Sequence, residues 1–246
     1  MKIMGVVNVT PDSFYAPSRA LNAPSAVSLA QKLWDEGADM IDVGAESTRP
    51  GAVRVGVAEE KERLGAVLPE LLGRGMTISV DTVNASTARW AVGLGAHIIN
   101  DVSGGMHDPE MNHAIAESDA RYVIQHWRGF PSENPNDKYD SVSQILAETL
   151  HQVNVAIVAG VTPEQVIIDP GLGFGMTNSD CWNLLDNLGT WTDTGYPVLV
   201  GASRKRFVRE RFSNALEGTL AVTRRASAAG VWAVRVHDVA ENLEVA

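Results

Sequence analysis

Short apolar runs alternate with stretches of helical periodicity along the chain, and the alternation occurs eight times. The apolar runs carry little polar interleaving and favour Val and Ile, the pattern of parallel strands buried on both faces. They fall at Ile3–Val9, Met40–Val43, Thr77–Val80, His97–Asn100, Arg121–Gln125, Gln165–Ile168, Pro197–Val200 and Val231–Val236. The intervening pattern predicts helices from about Pro24 to Glu36, from the loop that ends at Val57 to Gly73, and from Asn84 to Leu94. Others are predicted over Pro109–Glu117, Val142–Ala159 and Asp180–Leu188, with a last helical region ending at Ala229. Gly37, Gly75, Gly95, Gly160 and Gly230 stand just before the next strand, where a left-handed residue closes a helix. Eight βα units in 246 residues predict an α/β fold, a (β/α)8 TIM barrel forming a single domain over 1–246. An open doubly wound sheet would show a glycine-rich turn after its first strand. Asn8-Val9-Thr10-Pro11-Asp12 stands there instead. The sequence stops at Ala246, so the eighth helix is expected to be short or truncated, about two turns at most.

Charge and cysteine content narrow the function classes. A net charge of −10 argues against general binding of nucleic acid or an anionic membrane, so an anionic substrate needs a local basic cluster. No apolar run approaches the roughly 18 residues of a membrane span. Met1-Lys2-Ile3-Met4-Gly5 enters a strand directly, unlike a signal peptide, which favours the cytoplasm. Cys181 is the sole cysteine, which excludes an internal disulfide or a thiolate metal cage.

In a barrel, side chains at the carboxyl ends of the strands share one mouth. Here that set comprises Asn8, Asp42, Glu46, Asp81, Asn100, Asp101, His126, Asp169, Ser203, Arg204, Lys205, Arg235, His237 and Asp238. The most telling stretch is Gln165–Gly175, where Asp169 ends a β-branched run, Pro170 stops the ladder, and Gly171, Gly173 and Gly175 follow. Asp81, Asn100 and Asp169 together offer acceptors plus one amide. That set suits a flat heterocycle whose amino-pyrimidinone edge meets a carboxylate through two N–H groups. Lys205, Arg235 and His237 form the basic set, and a glycine turn after the seventh strand is where barrels often hold phosphate. Arg204 and Arg206 read as part of a solvated helix start. The sequence shows no nucleophilic serine elbow, no cysteine at a strand end and no histidine pair at metal spacing.

Seven motifs in order resemble the bacterial dihydropteroate synthases. They are Met4–Phe14, Glu46–Ala52, Ser79–Thr82, Ile99–Gly105, Asp169–Gly175, Gly201–Phe207 and Arg235–Val239. That resemblance implies condensation of 6-hydroxymethyl-7,8-dihydropterin diphosphate with 4-aminobenzoate, giving 7,8-dihydropteroate and diphosphate for folate synthesis. It implies that Asp81, Asn100, Asp169 and Lys205 hold the pterin. Arg235 and His237 would hold the diphosphate, with Asn8 acting through Mg²⁺. Thr48, Pro50, Ser203 and Phe174 would lie near the aminobenzoate, Arg49 would help close the second loop, and Asp12 would contribute charge from the first. The implied partners are these small molecules and a second copy of the chain in a homodimer, with no nucleic acid or membrane.

The sequence also departs from the family pattern. Ala16 stands where a second aspartate is usual, Met176 where a lysine follows Gly-Phe-Gly, and Gln125 where a methionine commonly lines the pterin pocket. Two alternatives therefore stand beside the synthase. A methyltransferase using methyl-tetrahydrofolate shares the barrel and the pterin carboxylates but should lack the Ser203-Arg204-Lys205 and Arg235-Val236-His237 signatures. A pterin-binding paralogue of weak turnover is the other, suggested by Ala16 and the short tail.

Overall fold

The computed structural model describes residues 1–9, 23–46, 55–129 and 141–246. Within them the strands are β1 (Lys2–Asn8), β2 (Met40–Gly44), β3 (Ile78–Asp81), β4 (Ile98–Asp101), β5 (Arg121–Gln125), β6 (Val166–Asp169), β7 (Leu199–Val200) and β8 (Ala233–Val236). They form one parallel sheet in the order 6-5-4-3-2-1-8-7. Ile168 pairs with Val198, and its N–H donates to the Pro197 carbonyl at 2.9 Å, which brings β6 and β7 together and rounds the sheet into the expected barrel.

The helices are α1 (Ala23–Asp35), α2 (Val57–Gly65), α3 (Leu68–Gly73), α4 (Ala85–Leu94), α5 (Met111–Ala116) and α6 (Val142–Val158). They continue as α7 (Asn178–Asp186), α8 (Gly189–Thr192), α9 (Arg206–Arg211), α10 (Ala215–Ala228) and α11 (Val239–Leu243). The helix expected to run unbroken to Gly73 is two helices. Pro69 lacks the N–H that would bond back one turn, so it sits in the first turn of a new helix instead. The helical region after β7 is likewise interrupted, because Phe212 is extended and Asn214 caps α10 by accepting from the Leu216 N–H at 2.8 Å. The eighth helix, α11, has only five residues. Its buried Asn242 accepts from Thr223 Oγ1 at 2.6 Å and donates to the Asp238 carbonyl at 2.6 Å, which fastens it to α10 and to the end of β8. None of the helices among the described residues is long and apolar enough to cross a membrane.

Two apolar layers follow from the two-residue period of the strands. Met4, Met40, Ile98, Val123, Ile167, Leu199 and Ala233 make one cluster, the plug inside the barrel. Residues of opposite parity, such as Ile41, Ile99, Ile124 and Ile168, join Leu33, Leu64, Val153 and Val222 of the helices in the layer outside it. Parity therefore decides what each strand end presents to the mouth.

Candidate active site

Two residues beyond the plug, every inward position on β2, β4, β5, β6 and β8 becomes polar. Met40 is followed by Asp42, Ile98 by Asn100, Val123 by Gln125, Ile167 by Asp169 and Ala233 by Arg235. Leu199 is followed by Gly201, β3 contributes Ser79 and Asp81 on the same parity, and β1 ends on Asn8. An apolar floor under a ring of carboxylates, amides and one guanidinium suits a planar, hydrogen-bonding ligand lying above it.

Asp42 is the hub of this ring. It is fully buried, and it accepts from Ser79 Oγ at 2.6 Å, Asn100 Nδ2 at 3.2 Å and Arg235 Nε at 2.5 Å. The other side of the guanidinium reaches Asp81, with Nη2 donating to Oδ2 at 3.0 Å. Arg235 thus lies between two carboxylates and neutralises part of their charge. Burial pushes Asp81 up to about 7; Arg235 opposes the rise, while Asp42, Asp101 and Glu60 add to it. The Asn100 amide nitrogen faces Asp42 as donor, so its oxygen is directed elsewhere.

Asp169 and Lys205 adjoin Arg235 over Gly201, where a Cβ would sit 3.9 Å from each of Arg235 Cβ, Asp169 Oδ2 and Lys205 Nζ. Asp169 Oδ1 accepts from the Gly171 N–H at 2.7 Å. Gly171 has φ +70°, and a Cβ there would come 2.7 Å from the His126 carbonyl, so the turn that anchors this carboxylate requires glycine. Burial raises Asp169 to about 6, against the pull of Lys205, the Gly171 N–H and Arg235. Lys205 Nζ donates to the Leu172 carbonyl at 2.5 Å and lies 4.8 Å from the centre of the Phe174 ring. Burial, with Arg235 assisting, draws its ammonium down to about 8, while Asp169 acts in the other direction.

The loops after β7 and β8 are tied to each other. Arg204 is the one non-glycine residue with positive φ among those described, at 61°, and its guanidinium grips Asp238 through Nη2 at 2.6 Å and Nε at 3.3 Å. Arg206, by contrast, is exposed at the start of α9, as a solvated helix start should be. Ser203 Oγ lies 3.0 Å from His237 Nδ1 and accepts from the His237 backbone N–H at 3.3 Å. At the far side of the ring, a Cβ on Gly44 would sit 3.6 Å from Asn8 Oδ1 and 3.6 Å from Asp81 Oδ2. Glycine there keeps open the space between these two oxygens.

Of the residues expected at the site, Asn8, Asp81, Asn100, Asp169, Phe174, Ser203, Lys205, Arg235 and His237 therefore stand at this end of the barrel. Asp12, Thr48, Arg49 and Pro50 lie outside the described residues. Two polar strand-end residues face the other way. Asp101 is spent on the Ser103 and Gly105 N–H groups and on Tyr122 Oη, and His126 meets Glu148 of α6 through Nε2 at 2.8 Å. Asp42, expected at the mouth without an assigned role, and Gln125, expected at a pocket-lining position, both belong to the ring. Counting by two from the apolar plug finds both.

Residues 4–237 match the family described as pterin binding enzyme. The dihydropteroate synthase of Mycobacterium leprae is 40% identical over 257 aligned positions, covering 99% of this chain and 90% of that one. The solved dihydropteroate synthase of Xanthomonas albilineans with 4-aminobenzoic acid is 36% identical, with a TM-score of 0.91, over 99% of this chain and 89% of that one. That of Anaplasma phagocytophilum with bound 6-hydroxymethylpterin-monophosphate is 37% identical, with a TM-score of 0.87, over 99% and 96%.

Proposed function

The chain belongs to the pterin-binding enzyme family, among its dihydropteroate synthases, and from that premise we propose how its residues divide the reaction. The reaction joins 6-hydroxymethyl-7,8-dihydropterin diphosphate to 4-aminobenzoate. The observation that carries the assignment of roles is the polar ring over the plug. Asp169, whose Oδ2 takes no hydrogen bond among the described residues, receives the adjacent N–H groups of the pterin's amino-pyrimidinone edge, while Asn100 and Asp81 meet the remaining ring nitrogens. Lys205 points its ammonium to the same pocket and binds the ring carbonyl. His237, held by Ser203, and the outer edge of Arg235 face the diphosphate.

Loss of diphosphate breaks the C–O bond at the pterin methylene, and the electron-rich dihydropterin stabilises the cation that results. The 4-aminobenzoate nitrogen then forms the new C–N bond and releases a proton. The protein's part is to orient the reactants and to stabilise separated charge, so no nucleophilic side chain is needed. The buried carboxylates Asp81 and Asp169 meet the ring over which the positive charge spreads. Ser203 and Phe174 border the arylamine's approach.

Asn8 fits a magnesium ion of the kind that draws most of its oxygens from diphosphate and water: it supplies one neutral oxygen, open to the space over Gly44 beside Asp81. No group of three His, Cys, Asp or Glu residues among those described makes a complete protein cage. When bound, Mg²⁺ would neutralise charge on the departing diphosphate. The resemblance also implies a homodimer, which sedimentation velocity measures directly.

The test is a coupled assay for diphosphate release. Release is expected to require both substrates and to fall at least tenfold in chelator, recovering with added Mg²⁺. Release that ignores 4-aminobenzoate would sink the synthase reading, and full activity in chelator would remove the role given to Asn8. Pterin binding with no release would instead single out the weak-turnover paralogue.

A further inference from the structure

Gln125 occupies the inward position on β5 between two of the pocket's acceptors. Its neighbours across the ladder are β4, which carries Asn100, and β6, where Gln125 is directly in register with Asp169. The side chain is almost fully buried, and its Cγ lies 3.4 Å from the place a Cβ on Gly171 would take, under the turn that anchors Asp169. Its Nε2 donates to the Val102 carbonyl at 3.2 Å. A carbonyl only accepts, so this contact fixes the amide with Oε1 turned away from Val102. Oε1 takes no hydrogen bond among the described residues, and it is not one of the side-chain atoms sealed from solvent without a partner. The result is an oriented acceptor beside Asp169, open toward the mouth.

We propose that Gln125 is a specificity-determining residue that accepts a hydrogen bond from the exocyclic amino group of the pterin; this rests on the pterin-pocket reading above. The chemistry of the ligand supplies the reason. An amino-pyrimidinone presents N3–H and one amino N–H to the Asp169 carboxylate. The amino group is planar and keeps a second N–H that points away from N3. That hydrogen needs an acceptor next to Asp169 along the ring of strands, and Gln125 Oε1 is placed there. A methionine at this position would fill similar volume and offer only a weak sulfur acceptor.

The experiment compares 6-hydroxymethylpterin with its 2-deamino counterpart, binding each to the parent protein and to Gln125→Met by calorimetry or fluorescence titration. The variant is expected to lose about tenfold in affinity for the amino compound and less than twofold for the deamino one, the loss of one buried hydrogen bond. The deamino ligand also reports that the pocket is intact. Equal losses for both ligands would overturn the proposal, since they would mark a change in packing. Unchanged affinity for the amino compound would overturn it as well. Failure of the parent itself to bind the amino compound at all would instead refute the pterin-pocket reading on which it stands.

Discussion

Arg235→Ala is expected to lose about 3–5 kcal/mol of folding stability near pH 8 and all measurable turnover, the largest effect of any single substitution in the ring. The guanidinium is the only cation that touches Asp42 and Asp81 among the described residues, and Asp42 has no exposure to water. Removing it leaves two largely buried carboxylates close together without their counter-ion. The deficit should depend on pH. Asp81 has a folded pKa raised to about 7, and Arg235 acts to lower it, so the variant's Asp81 stays protonated to still higher pH. A raised folded pKa contributes stability below the unfolded value and loses it as pH rises through the folded one. Above about 7 the variant therefore suffers an added cost, which fades at pH 5.5, where Asp81 holds its proton in both proteins. Adding Asp42→Asn to the variant should recover part of the loss. Urea unfolding at pH 8 and pH 5.5 checks all of this. A deficit under about 1 kcal/mol, or one of equal size at both pH values, would contradict the view of Arg235 as the counter-ion of the ring.

The barrel was legible because its strands, helices and closing glycines follow two distinct periods in order. Asp81, Asn100 and Asp169 were legible because each ends an apolar run, Arg235 because it interrupts one, and Lys205 because it stands in the glycine turn after the seventh. The facing of individual strand ends was harder to read. A strand buried on both faces is apolar at both parities, as in Tyr122-Val123-Ile124, so the residues alone do not mark which parity turns inward. Asp101 and His126 are one residue out of phase with Asn100 and Gln125, and that single step places them in the layer under the helices. Their hydrogen bonds to Tyr122 and Glu148 serve the scaffold. Asp42 stood in the expected mouth set, but its role as hub was not legible: its partners Ser79, Asn100 and Arg235 come from three other strands, far apart in sequence and brought together only by closure of the ring. The break between α2 and α3 had a visible cause in Pro69, but the apolar spacing continues through it and suggests one helix.

Asp169→Asn should separate stability from binding, moving them in opposite directions. The carboxyl of Asp169 is raised to about 6 in the fold, chiefly by burial. Its contribution to stability is present below the unfolded pKa and is lost as pH rises through about 6, so the ionised group is a liability to the free protein at pH 8. Asparagine keeps an oxygen to accept from the Gly171 N–H, and so keeps the turn, while it removes the buried charge. The variant is expected to unfold at the same temperature as the parent or higher at pH 8. Its amide nitrogen, however, would take the place of Oδ2 and present a donor to the donor edge of the pterin. Affinity at pH 7 should fall by about 1.5–3 kcal/mol, roughly ten- to a hundredfold, the scale of a lost hydrogen bond to a charged group. The parent's affinity should itself fall in acid, as Asp81 near 7 and Asp169 near 6 take protons, and above about pH 8, as Lys205 loses one. Asp169→Asn removes the lower step of the acid limb and leaves the one that belongs to Asp81. Lys205→Met removes the basic limb and moves the acid limb upward, because the lysine charge is what holds the Asp169 carboxyl down. Thermal unfolding and pterin titration across pH 5 to 9 measure both quantities on the same samples. A variant that is less stable than the parent at pH 8 yet binds pterin equally well would mean that Asp169 holds the turn and not the ligand.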